Sequence, residues 1–166
     1  MSWSLEEINS MPAAGFVRVL GPVFEHSPWI AERAEKLRPF SDIKHLHGAM
    51  CDVVKASGGA AQQWLISAHP DLVGRAVLTA ESQGEQAAAG LMNLSAAEVT
   101  RFNRFNREYK KRFGFPFIIC ARLNKKEAIL KAFPERLKNS AKKEHETALE
   151  EIYKIALLRI TDLVNR

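Results

Sequence analysis

Only one stretch of this chain looks like a strand, Phe117-Ile118-Ile119-Cys120, and no second such run exists for it to pair with. An unpaired strand leaves its backbone donors and acceptors unmet. The stretch is therefore expected to be an extended apolar loop, and the rest of the backbone to satisfy itself within helices. Helical signals dominate elsewhere: Ile43, Leu46, Met50, Val53 and Val54 recur at three- and four-residue spacing. The fold class expected is all-α, a single compact multi-helix domain over residues 1–166.

The punctuation agrees. Ser4-Leu5-Glu6-Glu7 and Ser95-Ala96-Ala97-Glu98 read as capping boxes, and the second should open a helix lasting to about Phe113 before Gly114. Ser27-Pro28-Trp29 places a cap before a helix-opening proline, with that helix running to about Leu37 and ended by Arg38-Pro39. Ser41 or Asp42 caps the next helix, and Ser57-Gly58-Gly59 breaks it. Further helices are expected through Gln63–Ile66, about Ala80–Leu91, about Lys125–Phe133, and most of Ser140–Val164.

At 166 residues, with 46% hydrophobic and 26% charged residues, the chain has the balance of a soluble globular protein. No apolar run reaches the roughly 18–20 residues that span a bilayer. Met1-Ser2-Trp3-Ser4-Leu5 lacks a basic and then apolar leader, and Asp162-Leu163-Val164-Asn165-Arg166 is no peroxisomal address, so a cytoplasmic location is expected. Cys51 and Cys120 have no CxxC partner and read as reduced core thiols. The net charge of +5 favours anionic partners. However, Lys110-Lys111-Arg112, Lys125-Lys126 and Lys142-Lys143 are short clusters with acids nearby, so nucleic-acid binding is not expected. His45-Leu46-His47 resembles a metal pair, but i and i+2 diverge on a helix, and no metal is expected.

Three segments are more polar than packing requires. His69-Pro70 puts an imidazole on a stiff turn, either solvated or poised for chemistry. Ser82, Glu85 and Gln86 stand at i, i+3 and i+4 and share one helical face. Capping by Ser82 with Glu85 competes with a functional reading of that face, and Gly84 beside them suggests close backbone approach by something. Arg159 falls on the apolar stripe of Ile152, Ile155, Ala156 and Leu163, where a buried guanidinium needs a carboxylate, carbonyls or an anionic ligand, unless it snorkels out.

Taken together, His69-Pro70-Asp71-Leu72, Leu78-Thr79-Ala80-Glu81-Ser82-Gln83-Gly84-Glu85-Gln86, Phe113-Gly114-Phe115-Pro116-Phe117-Ile118 and Leu158-Arg159-Ile160-Thr161-Asp162-Leu163 resemble the signature of the 2-oxo-4-hydroxy-4-carboxy-5-ureidoimidazoline (OHCU) decarboxylase family. So do Phe24-Glu25-His26-Ser27-Pro28-Trp29 and Arg38-Pro39-Phe40. The resemblance runs in order over nearly the whole chain. It implies an all-helical, often dimeric enzyme of purine breakdown that needs no cofactor or metal, with a small anionic ureidoimidazoline as substrate. It further implies that His69 and Glu85 form the catalytic pair. Pro70, Ser82, Gln86, Arg159 and the backbone of Phe117, Ile118 and Ile119 would line the substrate pocket.

Such a substrate contains its own electron sink, a C=N next to the carbon that loses carbon dioxide. Pyridoxal phosphate or thiamine diphosphate is then unnecessary. A non-catalytic helical adaptor of the same fold would have no use for the histidine, glutamate, glutamine and arginine at these positions.

Overall fold

The Ser4 hydroxyl accepts the Glu7 N–H at 3.2 Å while the Glu7 carboxylate accepts the Ser4 N–H at 2.7 Å, which completes the expected box and opens α1 (Leu5–Ser10). The computed structural model describes residues 2–74 and 77–165. Met1 and Arg166, used in the targeting argument, lie outside the described residues. The described residues form nine α-helices and two two-residue strands, so the chain is all-α. They divide into two compact units, residues 2–68 with 153–165, and residues 69–152.

In the first unit, α1 is followed by α2 (Ala13–Leu20), α3 (Trp29–Ala34), α4 (Ile43–Ala56) and α5 (Gly59–Ser67). A 3-10 turn over Glu35–Leu37 carries α3 to the expected stop. Asp42 rather than Ser41 caps α4, accepting the His45 N–H at 2.7 Å. Ser27 is not the cap expected of it. Its hydroxyl donates to the Glu25 carbonyl at 2.9 Å, and α3 begins after Pro28 with no side-chain cap. Gly58, at φ +84°, makes the break before α5 in the left-handed region that glycine tolerates best. Ile8, Phe16, Leu20, Ile30, Leu46, Met50 and Ile160 are fully buried in this unit. A parallel pairing of β1 (Trp3–Ser4) with β2 (Val164–Asn165) was not foreseen; two residues are too few to show a period.

The second unit holds α6 (Ala80–Ala88), α7 (Ala96–Phe113), α8 (Lys126–Leu137) and the part of α9 (Ala141–Leu163) up to Ile152. Ser95 accepts the Glu98 N–H at 3.1 Å, and Gly114 at φ +78° ends α7 as expected. Residues 116–120 belong to no helix or strand, the loop rather than the strand. Helix α8 runs through Pro134 instead of stopping at Phe133. An interior proline costs a helix about 3 kcal/mol. Here the last turn is anchored from outside by Arg136, which is buried against Glu144 at 2.8 Å. The core is aromatic: the Phe117 and Phe133 rings stack at 3.8 Å, and Tyr109 meets Phe117 edge-on at 5.2 Å.

Candidate active site

Helix α6 carries three of the expected site residues, Ser82, Glu85 and Gln86. Thr79, not Ser82, is its cap, accepting the Ser82 N–H at 3.2 Å. Ser82 is thereby inside the first turn, and the competing reading of it as a cap falls away. Ser82 and Gln86 are buried on α6 and Glu85 is half-buried. Gly84 faces open space, since a Cβ there would meet nothing within 4 Å. Among the described residues nothing approaches its backbone closely, and α6 carries the glycine at its propensity cost.

The loop after α5 is pinned at three points. Lys110 pairs with Asp71 at 2.7 Å, Asn106 donates to the Leu72 carbonyl at 2.8 Å, and the Val73 N–H donates to the Gln86 carboxamide at 3.1 Å. Val73 holds φ +58°, unusual for a β-branched residue. His69 and Pro70 open this loop, and His69 is only 9% exposed, which rules out the solvated histidine. Gln86 therefore ties the His69 loop to α6.

The Phe117–Ile119 segment is buried throughout. The Ile118 carbonyl accepts from Arg136, and the Cys120 N–H donates to Glu151 at 3.2 Å. The N–H groups of Ile118 and Ile119 find no acceptor among the described residues. Buried backbone donors are nearly always met by protein, water or ligand. The segment that follows is tied to the end of α6: Lys126 N–H donates to the Ala89 carbonyl at 3.1 Å, and the Lys125 ammonium to the Ala88 carbonyl at 2.7 Å. Burial pushes the Cys120 thiol up, with the carboxylates of Glu151 and Glu85 adding to the rise. His69, Pro70, Ser82, Glu85, Gln86 and Phe117–Ile119 all lie in the second unit, where the His69 loop is bonded to α6 through Gln86 and the segment after Ile119 to the end of α6 through Lys125 and Lys126.

Arg159 belongs to the first unit. It is 4% exposed and its guanidinium donates to the Glu25 carboxylate at 2.9 Å and the Pro22 carbonyl at 3.2 Å. Of the fates open to it, burial against a carboxylate and backbone carbonyls is the one observed. Glu25 was missed as its partner; an acid set directly after Val23-Phe24 was the available signal. The Tyr109–Arg136–Glu144 cluster was missed too, because nothing in a local pattern pairs residues so far apart.

Two features stand aside from these residues. A hollow of about 860 Å³ in the first unit is lined by Leu5, Ile43, Lys44, His47, Leu157 and Thr161 among others, and by none of the expected site residues. His47 meets the Tyr153 carbonyl at 2.8 Å and His45 accepts the Ser41 N–H at 3.1 Å, so the two imidazoles serve separate local bonds. Among the described residues, no group of three or more His, Cys, Asp or Glu is placed to hold a metal ion.

The fold defines a class: an all-helical protein whose short helix α6 presents Ser82, Glu85 and Gln86 and bonds the His69 loop through Gln86. The OHCU decarboxylase family model matches residues 9–161. A 2-oxo-4-hydroxy-4-carboxy-5-ureidoimidazoline decarboxylase of Amia calva is 42% identical over 164 residues, covering 96% of this chain and 94% of that one. The crystal structure of an (S)-allantoin synthase superposes with a TM-score of 0.80 at 31% identity, over 96% of this chain and 53% of that chain, so this chain spans about half its length. An OHCU decarboxylase solved in the presence of (S)-allantoin gives a TM-score of 0.68 at 27% identity, over 81% of this chain and 89% of that one. The chain belongs to the OHCU decarboxylase family, whose members are carboxy-lyases.

Proposed function

We propose that this chain decarboxylates 2-oxo-4-hydroxy-4-carboxy-5-ureidoimidazoline to (S)-allantoin in urate degradation, with His69 and Glu85 moving the protons. What supports the reading is the family match across residues 9–161 together with a buried imidazole, hydroxyl and carboxamide and a half-buried carboxylate in the second unit.

The chemistry asks little of a protein beyond placement and proton handling. The bond from the ring carbon to the carboxylate breaks and carbon dioxide leaves. Its electron pair forms a double bond to the neighbouring carbon, and the C=N pair moves onto nitrogen, which takes a proton. The resulting enol then loses its hydroxyl proton while the neighbouring carbon gains one on a single face, and that face sets the (S) configuration. An imidazole exchanges protons near neutral pH, and a nearby carboxylate can hold its tautomer and orientation. Burial of His69 favours a single orientation over a solvated ensemble.

The remaining residues position the substrate. Ser82 and Gln86 offer hydrogen bonds to ring or ureido atoms, Pro70 stiffens the turn, and the open N–H groups of Ile118 and Ile119 suit an anionic oxygen. Arg159 anchors a negatively charged or carbonyl oxygen, with Glu25 holding its guanidinium plane. The protein acts on this small anion without a cofactor, as a homodimer in the cytoplasm, and residues 1–166 work as one domain. The family match running across both units supports the last point.

The test couples fresh urate oxidation and hydroxyisourate hydrolysis to this protein and follows optical rotation as allantoin forms. Rapid appearance of one enantiomer is expected. Slow racemic product, equal to a control without the protein, would overturn the reading.

A further inference from the structure

Arg136 sits in the second unit, on the last turn of α8, and is 9% exposed. Its Nε donates to Glu144 at 3.0 Å and its Nη2 to the same carboxylate at 2.8 Å, a two-pronged pairing. Glu144 is fully buried and also accepts from Asn139 at 2.9 Å and from the Tyr109 hydroxyl. Burial raises the Glu144 carboxyl, but the bonds from Arg136, Tyr109 and Asn139 outweigh it and hold the group below its ordinary range. Glu144 is therefore held as a carboxylate facing the guanidinium.

An ion pair that only stabilised the fold would be complete at this point. Arg136 does more. Its Nη1 donates to the Ile118 carbonyl, and its guanidinium carbon lies 4.2 Å from the centre of the Phe117 ring. The Phe117 ring is also stacked against that of Phe133 at 3.8 Å. One guanidinium thus holds a carbonyl and a side chain of a segment that has no helix or strand partner to fix it. The peptide plane carrying the Ile118 carbonyl also carries the Ile119 N–H, on its other edge. Holding the carbonyl toward Arg136 aims that N–H the opposite way. Neither it nor the Ile118 N–H has an acceptor among the described residues.

We infer that Arg136 is a positioning residue: through the Ile118 carbonyl and the Phe117 ring it orients the Ile119 N–H group toward an anionic oxygen of the substrate, with Glu144 and Tyr109 holding Arg136. This rests on the reading of Phe117–Ile119 as substrate-lining. Arginine is required because one planar fork grips Glu144 while a further N–H reaches Ile118; a lysine ammonium matches the charge without that geometry.

The test compares three variants with the unaltered protein, using freshly generated substrate. Arg136→Lys is expected to raise KM about tenfold or more with kcat within about threefold, as for loss of a well-aimed bond to a charged group. Met50→Ala, in the buried core of the first unit, should lower the melting temperature and leave KM unchanged. Arg136→Met with Glu144→Leu replaces the buried pair by apolar side chains, a change that often keeps or raises stability; it should fold and still show the raised KM. A normal KM in Arg136→Lys, or recovery of KM in the apolar double variant, would overturn the positioning role. Absence of turnover in the unaltered protein would instead sink the proposed function.

Discussion

The Arg159 guanidinium and the Glu25 carboxylate lie 2.9 Å apart although 134 residues separate them in sequence, and both are almost wholly buried. Each makes the other's burial tolerable. Replacing Glu25 with alanine breaks a buried ion pair by removing one partner, which typically costs about 3–5 kcal/mol. For a chain of this size the melting temperature should fall by roughly 6–20 °C. A loss no larger than that of an exposed substitution, such as Glu108→Ala, would show that the pair is not holding this part of the fold.

Removing the imidazole should separate chemistry from folding. His69→Ala is expected to abolish stereospecific turnover while leaving the far-ultraviolet circular dichroism helical. Arg159→Lys should weaken substrate binding, because a point charge cannot reproduce a planar fork. Near-normal kinetics in either variant would remove that residue from the site.

Helix α6 offers two opposed substitutions. Thr79→Ala removes its cap and should cost about 1 kcal/mol, with activity lost at a lower temperature because α6 carries Ser82, Glu85 and Gln86. Gly84→Ala fills open space in the helix and should stabilise by up to about 1 kcal/mol. Denaturant melts of both variants check the pair; destabilisation by Gly84→Ala would mean that something approaches that backbone after all.

Stability should depend on Glu144 in acid. Its carboxyl is held below the ordinary value of 4.5 in the folded protein. Its contribution is therefore fully present above that value and disappears as pH falls through the lower, folded one. Urea midpoints measured from pH 7 down to pH 3 should fall at the acid end, and Glu144→Gln should flatten part of that decline. An unchanged slope in the variant would assign the acid sensitivity to other carboxylates.

The two thiols should be inert in the native state. Burial pushes Cys51 up to about 12 and raises Cys120 as well, so little thiolate exists at pH 8. A disulfide-forming reagent should label both only after denaturant is added. Fast labelling of the native protein would contradict the burial of both side chains.

Most of the helices could be read in advance because their signals are local. A serine and a glutamate three residues apart, as in Ser4 and Glu7, meet whatever the rest of the chain does, and Gly114 ends α7 by its own conformational freedom. Where two readings of one residue competed, local sequence could not choose between them: Ser82 could cap a helix or stand on its polar face, and in the fold Thr79 takes the cap. Pro134 argued for an early stop to α8, and the buried partner of Arg136 overrode it. The individual polar residues His69, Ser82, Glu85, Gln86 and Arg159 stood out because packing alone had no use for them.

Amino-acid order was enough to settle the helical class, the breaks between helices, and which polar side chains needed a reason to exist. It was silent on who meets whom: Glu25 with Arg159, Gln86 with Val73, Arg136 with both Glu144 and Ile118. Capping and periodicity act over one helical turn and cost little chain entropy, so they are written locally. Buried polar pairs form only where packing brings distant segments together and excludes water, and that is a property of the folded whole.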